Sequence, residues 1–259
     1  MNFVKIPNAF IDEQKIKENE YFLLVMALIE RNRTIRGEIV FTNDYLFELL
    51  GIKKNDTRAR KKIIEAVSYL LNNNNIVTSY HEMGNMIFVT TNEVKDNFFM
   101  VYDDEVNTIL DSKDVKKYKL FNVFCCIKRS INNENKITFI GQEKLVELTG
   151  YSSSTIVEMK KLLKDIGLLN IDNAGAVVVK TIQGKNKIIN ASDYMSCKTD
   201  DTTGEILKEK VKLEKTKLAN EYGKVLNKTK GNSRVVLETN SEQKKRKIPY
   251  KWEKQQFAR

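Results

Sequence analysis

Apolar and polar residues in the first part of the chain alternate with helical spacing in some stretches and strand spacing in others. Thr42 and Asp56 are residue types that commonly cap helix N-termini, and each precedes a run with helical periodicity. Gly51 suits a helix end, where φ is often positive. The pattern predicts, in order, helix 17–33, strand 39–41, helix 43–50, helix 57–72, and strands 76–80 and 86–91 joined as a hairpin through residues 81–85.

The same pattern recurs about a hundred residues later. The segment Glu38–Gly51 resembles Lys136–Gly150, with Gly51 opposite Gly150, and Lys61–Ile64 resembles Lys160–Leu163. The opening Phe3-Val-Lys-Ile is echoed by Phe99-Met-Val-Tyr. Self-similarity at one offset indicates two copies of a single structural unit. The second copy is predicted as helix 114–131, strand 137–140, helix 142–149, helix 153–166, and strands 176–182 and 188–191 joined as a hairpin through residues 183–187.

Helix, strand, helix, short turn, helix and hairpin is the order of elements in a winged helix-turn-helix domain. Each predicted turn is centred on a glycine, Gly51 or Gly150, where the turn of that motif belongs. We therefore predict an α+β chain that is mainly α, with winged-helix domains over residues 1–96 and 97–195. In such a domain the third helix enters the major groove of DNA and the hairpin wing contacts the flanking backbone.

The last segment, residues 196–259, differs in character from the rest. It holds 17 of the 44 Lys and Arg residues but only 9 of the 34 Asp and Glu residues, so most of the net charge of +10 lies there. We predict a basic, flexible tail with a helix over 205–227 that is loosely ordered, because it lacks a broad apolar face. The cluster Lys244–Lys247 leaves three interpretations open: a solubilising tail, a non-specific DNA arm, or a peptide that docks on a partner.

Few residues suited to catalysis are present. The chain has one histidine and three cysteines without a Cys-x-x-Cys pair, and it contains no phosphate-binding Gly-x-x-x-x-Gly-Lys-Ser/Thr segment. Cys125 and Cys126 lie in an apolar run and are interpreted as core residues. Residues 1–8 do not resemble a signal peptide, and the longest apolar run, Phe22–Ile29, is too short to cross a bilayer. We expect a cytoplasmic protein that is not an enzyme, needs no metal or cofactor, and does not engage a membrane.

The third helix of the first copy carries the first set of candidate DNA contacts. A helical wheel places Ile63, Ile64 and Val67 with Leu70 and Leu71 on the core side. The positions expected to project outward or to lie at the edge of that face are Arg58, Lys61, Lys62, Glu65 and Tyr69. Lys53 and Lys54, in the preceding turn, are expected to meet backbone phosphates.

The third helix of the second copy carries the other set. Its core stripe is predicted as Met159, Leu162, Leu163 and Ile166. The outward or edge positions are Ser153, Ser154, Val157, Lys160, Lys161 and Lys164, and the hairpin adds Lys185 and Lys187. An exposed Val157 is explained by contact with a thymine methyl group or with a protein. Any one of these lysines alone is an ordinary surface charge, so the prediction depends on their clustering.

The doubled pattern resembles the replication initiators and replisome organisers of plasmids and phages from low-GC Gram-positive bacteria. The resemblance covers residues 1–195 and begins with Phe3-Val-Lys-Ile-Pro-Asn-Ala-Phe10. It implies binding to repeated origin sites in double-stranded DNA, local melting, and recruitment of the host replicative helicase or its loader, for which the tail is a candidate. It also implies a homodimer formed by the first domain, although outward-facing Arg58 and Lys62 predict DNA contacts there too. A transcriptional regulator and a conjugation or partition accessory protein remain alternatives.

Overall fold

The structure, a computed structural model, describes residues 3–113, 116–131, 136–180, 186–197, 201–222 and 225. About 50% of the chain is helical and 22% is strand, which agrees with the predicted α+β class. Packing divides the chain into two compact units. Unit 1 is Met1–Ser130 with Gln142–Leu168, and unit 2 is Ile131–Gly141 with Leu169–Arg259. The helices of both sequence copies thus belong to unit 1, and the strands that follow them in the second copy belong to unit 2.

Unit 1 contains fourteen of the helices and strands in the described residues. They are β1 (Phe3–Pro7), α1 (Ala9–Asp12), α2 (Lys15–Glu18), α3 (Phe22–Glu30), β2 (Glu38–Phe41), α4 (Asn43–Leu49), α5 (Thr57–Leu71), β3 (Val77–Met83), β4 (Met86–Thr91), β5 (Phe98–Tyr102), α6 (Asp103–Asp111), α7 (Lys117–Arg129), α8 (Gln142–Thr149) and α9 (Ser153–Asp165). The predicted strand 39–41 and the predicted helices 43–50, 57–72, 142–149 and 153–166 are confirmed to within a residue or two.

The predicted helix 17–33 is two helices instead of one. Between α2 and α3, Asn19 adopts an extended backbone conformation that ends α2. Its side chain accepts a hydrogen bond from the amide of Tyr21 at 3.0 Å and donates one to the carbonyl of Lys62 at 2.7 Å. Asparagine competes well for backbone groups in this way, so the helix breaks although the apolar periodicity continues through it.

The similar segments Phe3–Ile6 and Phe99–Tyr102, one from the start of each copy, lie in β1 and β5, which form an antiparallel pair. Phe3 lies opposite Tyr102 and Ile6 opposite Phe99, so the similar sequences run past each other in reverse. Neither segment is predicted as a strand from the sequence. Each is too short to show a clear alternation by itself, and it is their pairing that satisfies the backbone groups of both.

The first copy also contains a three-stranded sheet of order β2-β4-β3. The hairpin of β3 and β4 confirms the prediction, but its connector is shorter because β3 continues to Met83, opposite Met86. Gly84 in the two-residue turn has φ +61, a left-handed conformation that glycine adopts without steric cost. On one face Ile39, Ile87 and Val89 are buried, and on the other Val40 and Met86 are exposed.

The core of unit 1 is built on α3 and α7. Every residue from Phe22 to Ile29 is at most 2% exposed, and the run from Leu120 to Ile127 is buried as well. Cys125 and Cys126 lie in that run, and burial raises the pKa of the Cys126 thiol to about 12, so it stays protonated at neutral pH. The buried amide of Asn122 donates to the Glu20 carbonyl at 2.8 Å and to the Tyr151 hydroxyl at 2.7 Å.

Unit 2 contains β6 (Leu169–Asn173), β7 (Ala176–Lys180), β8 (Asn186–Asn190), β9 (Asp193–Cys197) and α10 (Asp201–Tyr222). The predicted second hairpin corresponds to β7 and β8, and its connector lies largely outside the described residues. The pair β6–β9 is not predicted, because Leu-Asn-Ile-Asp-Asn is short and polar for a strand. The predicted strand 137–140 is wrong, since only Thr138 makes a bridge, to Met195 of β9.

Helix α10 covers most of the described part of the predicted tail helix. Leu207 and Val211 are 3% and 8% exposed and pack with Ile137, Ala174 and Tyr194. Leu218, two turns further on, is partly buried against the same cluster. The narrow stripe at positions 207, 211 and 218 is therefore enough to pack the helix, contrary to the expectation of loose order. Within the described residues, no helix is long and apolar enough to cross a membrane.

Candidate nucleic-acid interface

Helix α5 is placed by a cap at its N-terminus and by a buried apolar face. The Asp56 carboxylate accepts a hydrogen bond from the amide of Ala59 at 3.0 Å, as predicted for an N-cap. Gly51, which ends the preceding helix α4, has φ +68, also as predicted. Four residues with i, i+3, i+4, i+7 spacing are then buried along α5: Ile63, Ala66, Val67 and Leu70.

The outer face of α5 consists of Arg58, Lys61, Ile64, Glu65 and Ser68, all of which are exposed. The prediction that Ile64 lies in the core is wrong, because its side chain is 44% exposed. The small residues Ala59 and Ala66 occupy the buried side instead and rotate the helix relative to the predicted wheel. Lys61 and Glu65 form a 3.9 Å ion pair, which contributes little to stability at an exposed site.

Two of the predicted DNA contacts on α5 are turned toward α2 and α3. The Lys62 ammonium is half-buried and pairs with the Glu20 carboxylate at 2.8 Å. The Tyr69 ring packs edge-on against Phe22, with ring centroids 5.1 Å apart, and lies under the Lys15 ammonium. Both side chains therefore help to hold α5 in unit 1, and Tyr69 is still 37% exposed.

Arg60 is a structural residue of this region whose role is not predicted from the sequence. Its guanidinium stacks over the Phe47 ring at 3.9 Å from the centroid and pairs with Asp44 at 3.2 Å. Asp44 and Phe47 lie one turn apart on α4, so a single side chain ties α4 to α5. This contact stabilises the angle between the two helices, on which the presentation of the outer face depends.

The turn before α5 brings further cations to the outer face. Lys53 and Lys54 are exposed there, as predicted. A shallow groove begins at this turn and runs along the outer face of α5. It is lined by Lys54, Thr57, Arg60, Lys61, Ile64 and Glu65. The groove thus combines ammonium and guanidinium groups with the Glu65 carboxylate and one aliphatic side chain.

Helix α9 begins at a serine cap. The Ser152 hydroxyl accepts a hydrogen bond from the amide of Thr155 at 3.3 Å, and Gln142 of α8 donates to the Ser153 carbonyl at 3.2 Å. These contacts orient the first turn of α9 against α8. Its outer face consists of exposed side chains: Ser153, Ser154, Val157, Glu158, Lys161 and Lys164. Val157 is 53% exposed, in agreement with its predicted outward position.

Lys160, in contrast, does not lie at the edge of that face. Its side chain is only 7% exposed, on the same side of α9 as Ile156, Met159 and Leu163. Ile156 sets this phase and is missing from the predicted core stripe, whereas Leu162, which is included in it, is half-buried. Lys160 is therefore removed from the set of candidate DNA contacts.

Neither of the two hairpin lysines that are predicted to contact DNA has a described side chain. Lys185 lies outside the described residues, and Lys187 belongs to β8 but its side chain lies outside them too. In the first copy, His81 of β3 stacks on Phe88 of β4 with centroids 4.8 Å apart. Within the described residues, no group of three or more His, Cys, Asp and Glu side chains is placed to hold a metal ion.

Comparisons with known proteins identify no relative of this chain. No family model, curated protein or solved structure matches the chain. The interpretation of the two outer faces therefore depends on their own chemistry.

Proposed function

We propose that this protein binds double-stranded DNA in a sequence-specific manner through two winged helix-turn-helix motifs. The observation that carries the proposal is the matched presentation of α5 and α9. Each helix is capped, follows a short helix and a glycine with positive φ, buries its apolar side, and exposes donors on the other side. A helix held in this way is free to enter the major groove with its first turns foremost.

The strands add a second reason to treat the copies as one motif used twice. In the first copy the strand before α4 pairs with β4, which in turn pairs with β3, the strand that follows α5. In the second copy Thr138, which precedes α8, bridges to β9, which pairs with β6, the strand that follows α9. The order of pairing is therefore the same, with the hairpin β7–β8 inserted between β6 and β9. This order supports the proposal that a wing follows a recognition helix in each copy.

The chemistry of the outer faces favours DNA as the ligand. Lys53, Lys54 and Arg58 precede or begin α5, and such groups are suited to phosphate oxygens. On α9 the serine hydroxyls of Ser153 and Ser154 lie at the helix start, and Lys161 and Lys164 follow on the same face. Hydroxyls donate to either phosphates or base edges, and lysines supply the charge that makes binding depend on salt.

The biological role that we propose is initiation of replication at repeated sites of a plasmid or phage origin, following the resemblance of residues 1–195 to such initiators. In that role the protein acts with the host replicative helicase or its loader as a partner, and as a dimer. A plasmid that carries only this gene and its flanking repeats tests the role directly. Autonomous replication is the expected result, whereas promoter repression without replication favours a transcriptional regulator.

The primary test is binding of the purified full chain to the intergenic DNA beside its own gene, by mobility shift and footprinting. Random DNA of equal length at the same salt concentration is the control. We expect protection of short repeats at protein concentrations that leave the random DNA unbound. Equal affinity for both DNAs would show that net charge alone carries the interaction, and the proposal would fail.

A further inference from the structure

Burial gives a register between α5 and α9 that differs from the one the sequence repeat suggests. Four of the six buried residues of α5, namely Ile63, Ala66, Val67 and Leu70, have the same spacing as the four buried residues of α9, namely Ile156, Met159, Lys160 and Leu163. Superposing these two stripes matches Ile63 with Ile156. It also matches Glu65 with Glu158 and Leu70 with Leu163.

The sequence repeat obscures this register because the turns differ in length. Gly51 and Gly150 are equivalent helix ends, but α5 starts at Thr57 and α9 starts at Ser153. The longer turn and the additional first turn of α5 shift its core residues along the chain. The sequence repeat aligns the pair Lys61-Lys62 with the pair Lys160-Lys161. That alignment is wrong, because it places the exposed Lys61 opposite the buried Lys160.

In the structural register, an exposed β-branched aliphatic residue occupies the same position of both helices. Ile64 matches Val157, and the two side chains are 44% and 53% exposed. All other aliphatic side chains of α5 and α9 are buried or half-buried. Exposed apolar groups at single positions are ordinary on protein surfaces. Their occurrence at matched positions of two helices makes these two residues candidates for contact with the same kind of ligand.

The neighbours of these two residues are polar and rich in hydrogen-bond donors. One turn away from Ile64 lie Arg60, Lys61 and Ser68, and one turn away from Val157 lie Ser153, Ser154 and Lys161. An apolar protein partner would require a broader apolar patch around each side chain. A thymine base offers the complementary arrangement, since its 5-methyl group lies in the major groove between phosphates.

The residue that follows each aliphatic side chain supports a position over the bases. Glu65 and Glu158 are exposed at matched positions, and a carboxylate is repelled by backbone phosphates. At a base edge the same carboxylate accepts a hydrogen bond from the amino group of cytosine. The matched pairs Ile64-Glu65 and Val157-Glu158 therefore lie where base edges, and not phosphates, would be met.

We propose that Ile64 and Val157 determine specificity by contacting the 5-methyl groups of thymines at equivalent positions of two related half-sites. The inference rests on the proposed function, because it assigns base contacts to a DNA complex. It goes beyond that function in stating that both helices read bases and that the two half-sites share a thymine. One chain then recognises two copies of a similar short sequence.

The test removes single methyl groups from the DNA. In the footprinted site each thymine is replaced in turn by uracil, which differs only in lacking the 5-methyl group, and the affinity of the full chain is measured. We expect replacement of one thymine in each half-site to lower the affinity of the protein for the DNA about three- to tenfold, the range expected for one buried methyl contact. The Ile64→Ala variant should abolish the effect at one half-site, and Val157→Ala should abolish it at the other.

Conservative variants serve as matched controls, since Ile64→Val and Val157→Ile keep a β-branched methyl at each position and should retain the sensitivity to uracil. Both original residues are exposed, so their replacement leaves the core of unit 1 intact, which circular dichroism checks. Two outcomes would overturn this inference and leave the proposed function standing. In the first, the protein binds a specific site but no uracil replacement lowers its affinity. In the second, uracil replacement lowers the affinity equally in the original protein and in both alanine variants. A lack of any specific site would overturn both.

Discussion

The sheets of the two copies share an order of strand pairing but differ in what covers their outer faces. In the first copy, Val40 and Met86 are each 49% exposed. Among the described residues, the Phe88 ring makes one ring contact, which is with His81. In unit 2, Tyr194 of β9 is 9% exposed and packs with Leu207 and Val211 of α10. Helix α10 thus gives the β6–β9 sheet a core of its own, whereas the β2-β4-β3 sheet has one buried face among the described residues.

The largest effect that distinguishes the two sheets is expected from Leu207→Ala. It removes a nearly fully buried side chain from the small core of unit 2 and should cost about 2–5 kcal/mol of unfolding free energy. Urea denaturation measures this loss. The matched control is Leu213→Ala on the same helix, where the side chain is 61% exposed and the expected change is within about 0.5 kcal/mol. Similar losses in both variants would mean that α10 does not pack through Leu207.

A smaller effect compares the two outer faces as DNA ligands. The double variants Arg58→Ala with Lys61→Ala on α5, and Lys161→Ala with Lys164→Ala on α9, should each weaken binding by about 1–3 kcal/mol. They should also reduce the dependence of affinity on salt, because fewer phosphates are neutralised.

Titration of the footprinted DNA at several salt concentrations measures both quantities for each double variant. The charge-matched control is Lys210→Ala with Lys215→Ala, which removes two exposed lysines from α10. A weakening by the control as large as that by the α9 variant would assign the interaction to net charge. An effect confined to one of the two helices would restrict DNA binding to that copy.

The smallest effect separates the two helix ends. Gly51 and Gly150 have φ of +68 and +71, so alanine at either position should cost about 1–2 kcal/mol from backbone strain. A Cβ at Gly150 would also lie 3.2 Å from Cγ of Lys17, whereas a Cβ at Gly51 would meet no atom within 4 Å. Thermal unfolding should therefore show a larger loss for Gly150→Ala, by a few tenths of a kcal/mol. Equal losses would show that the flexible Lys17 side chain moves aside at no cost.

Features that depend on neighbours in the chain are predicted well from the sequence. The caps at Thr42 and Asp56 and the left-handed glycines 51 and 150 depend on hydrogen bonds and φ preferences within one or two turns. The helices and the hairpin that they delimit in the first copy follow with nearly correct bounds. The outward positions of Arg58, Val157, Lys161 and Lys164 are also predicted correctly, because they lie opposite long apolar stripes.

Features that depend on distant contacts are not predicted. The burial of Lys160 and the exposure of Ile64 follow from small changes in helix phase, which packing of the whole core decides. Lys62 pairs with Glu20, and Asn19 breaks a helix by bonding to the Lys62 carbonyl, 43 residues away. A wheel drawn on one helix contains no information about either partner.

By itself, the sequence determined most of the helices of both copies and the helix ends at Thr42, Gly51, Asp56 and Gly150, because local hydrogen bonding and side-chain periodicity encode these properties. Tertiary structure alone decided that β1 pairs with β5, that β9 and not β8 bridges to Thr138, and that α10 covers Tyr194. It also decided the register that places Ile64 opposite Val157. Each of these depends on which buried surfaces meet, and that choice minimises the free energy of the whole packed unit instead of any one segment.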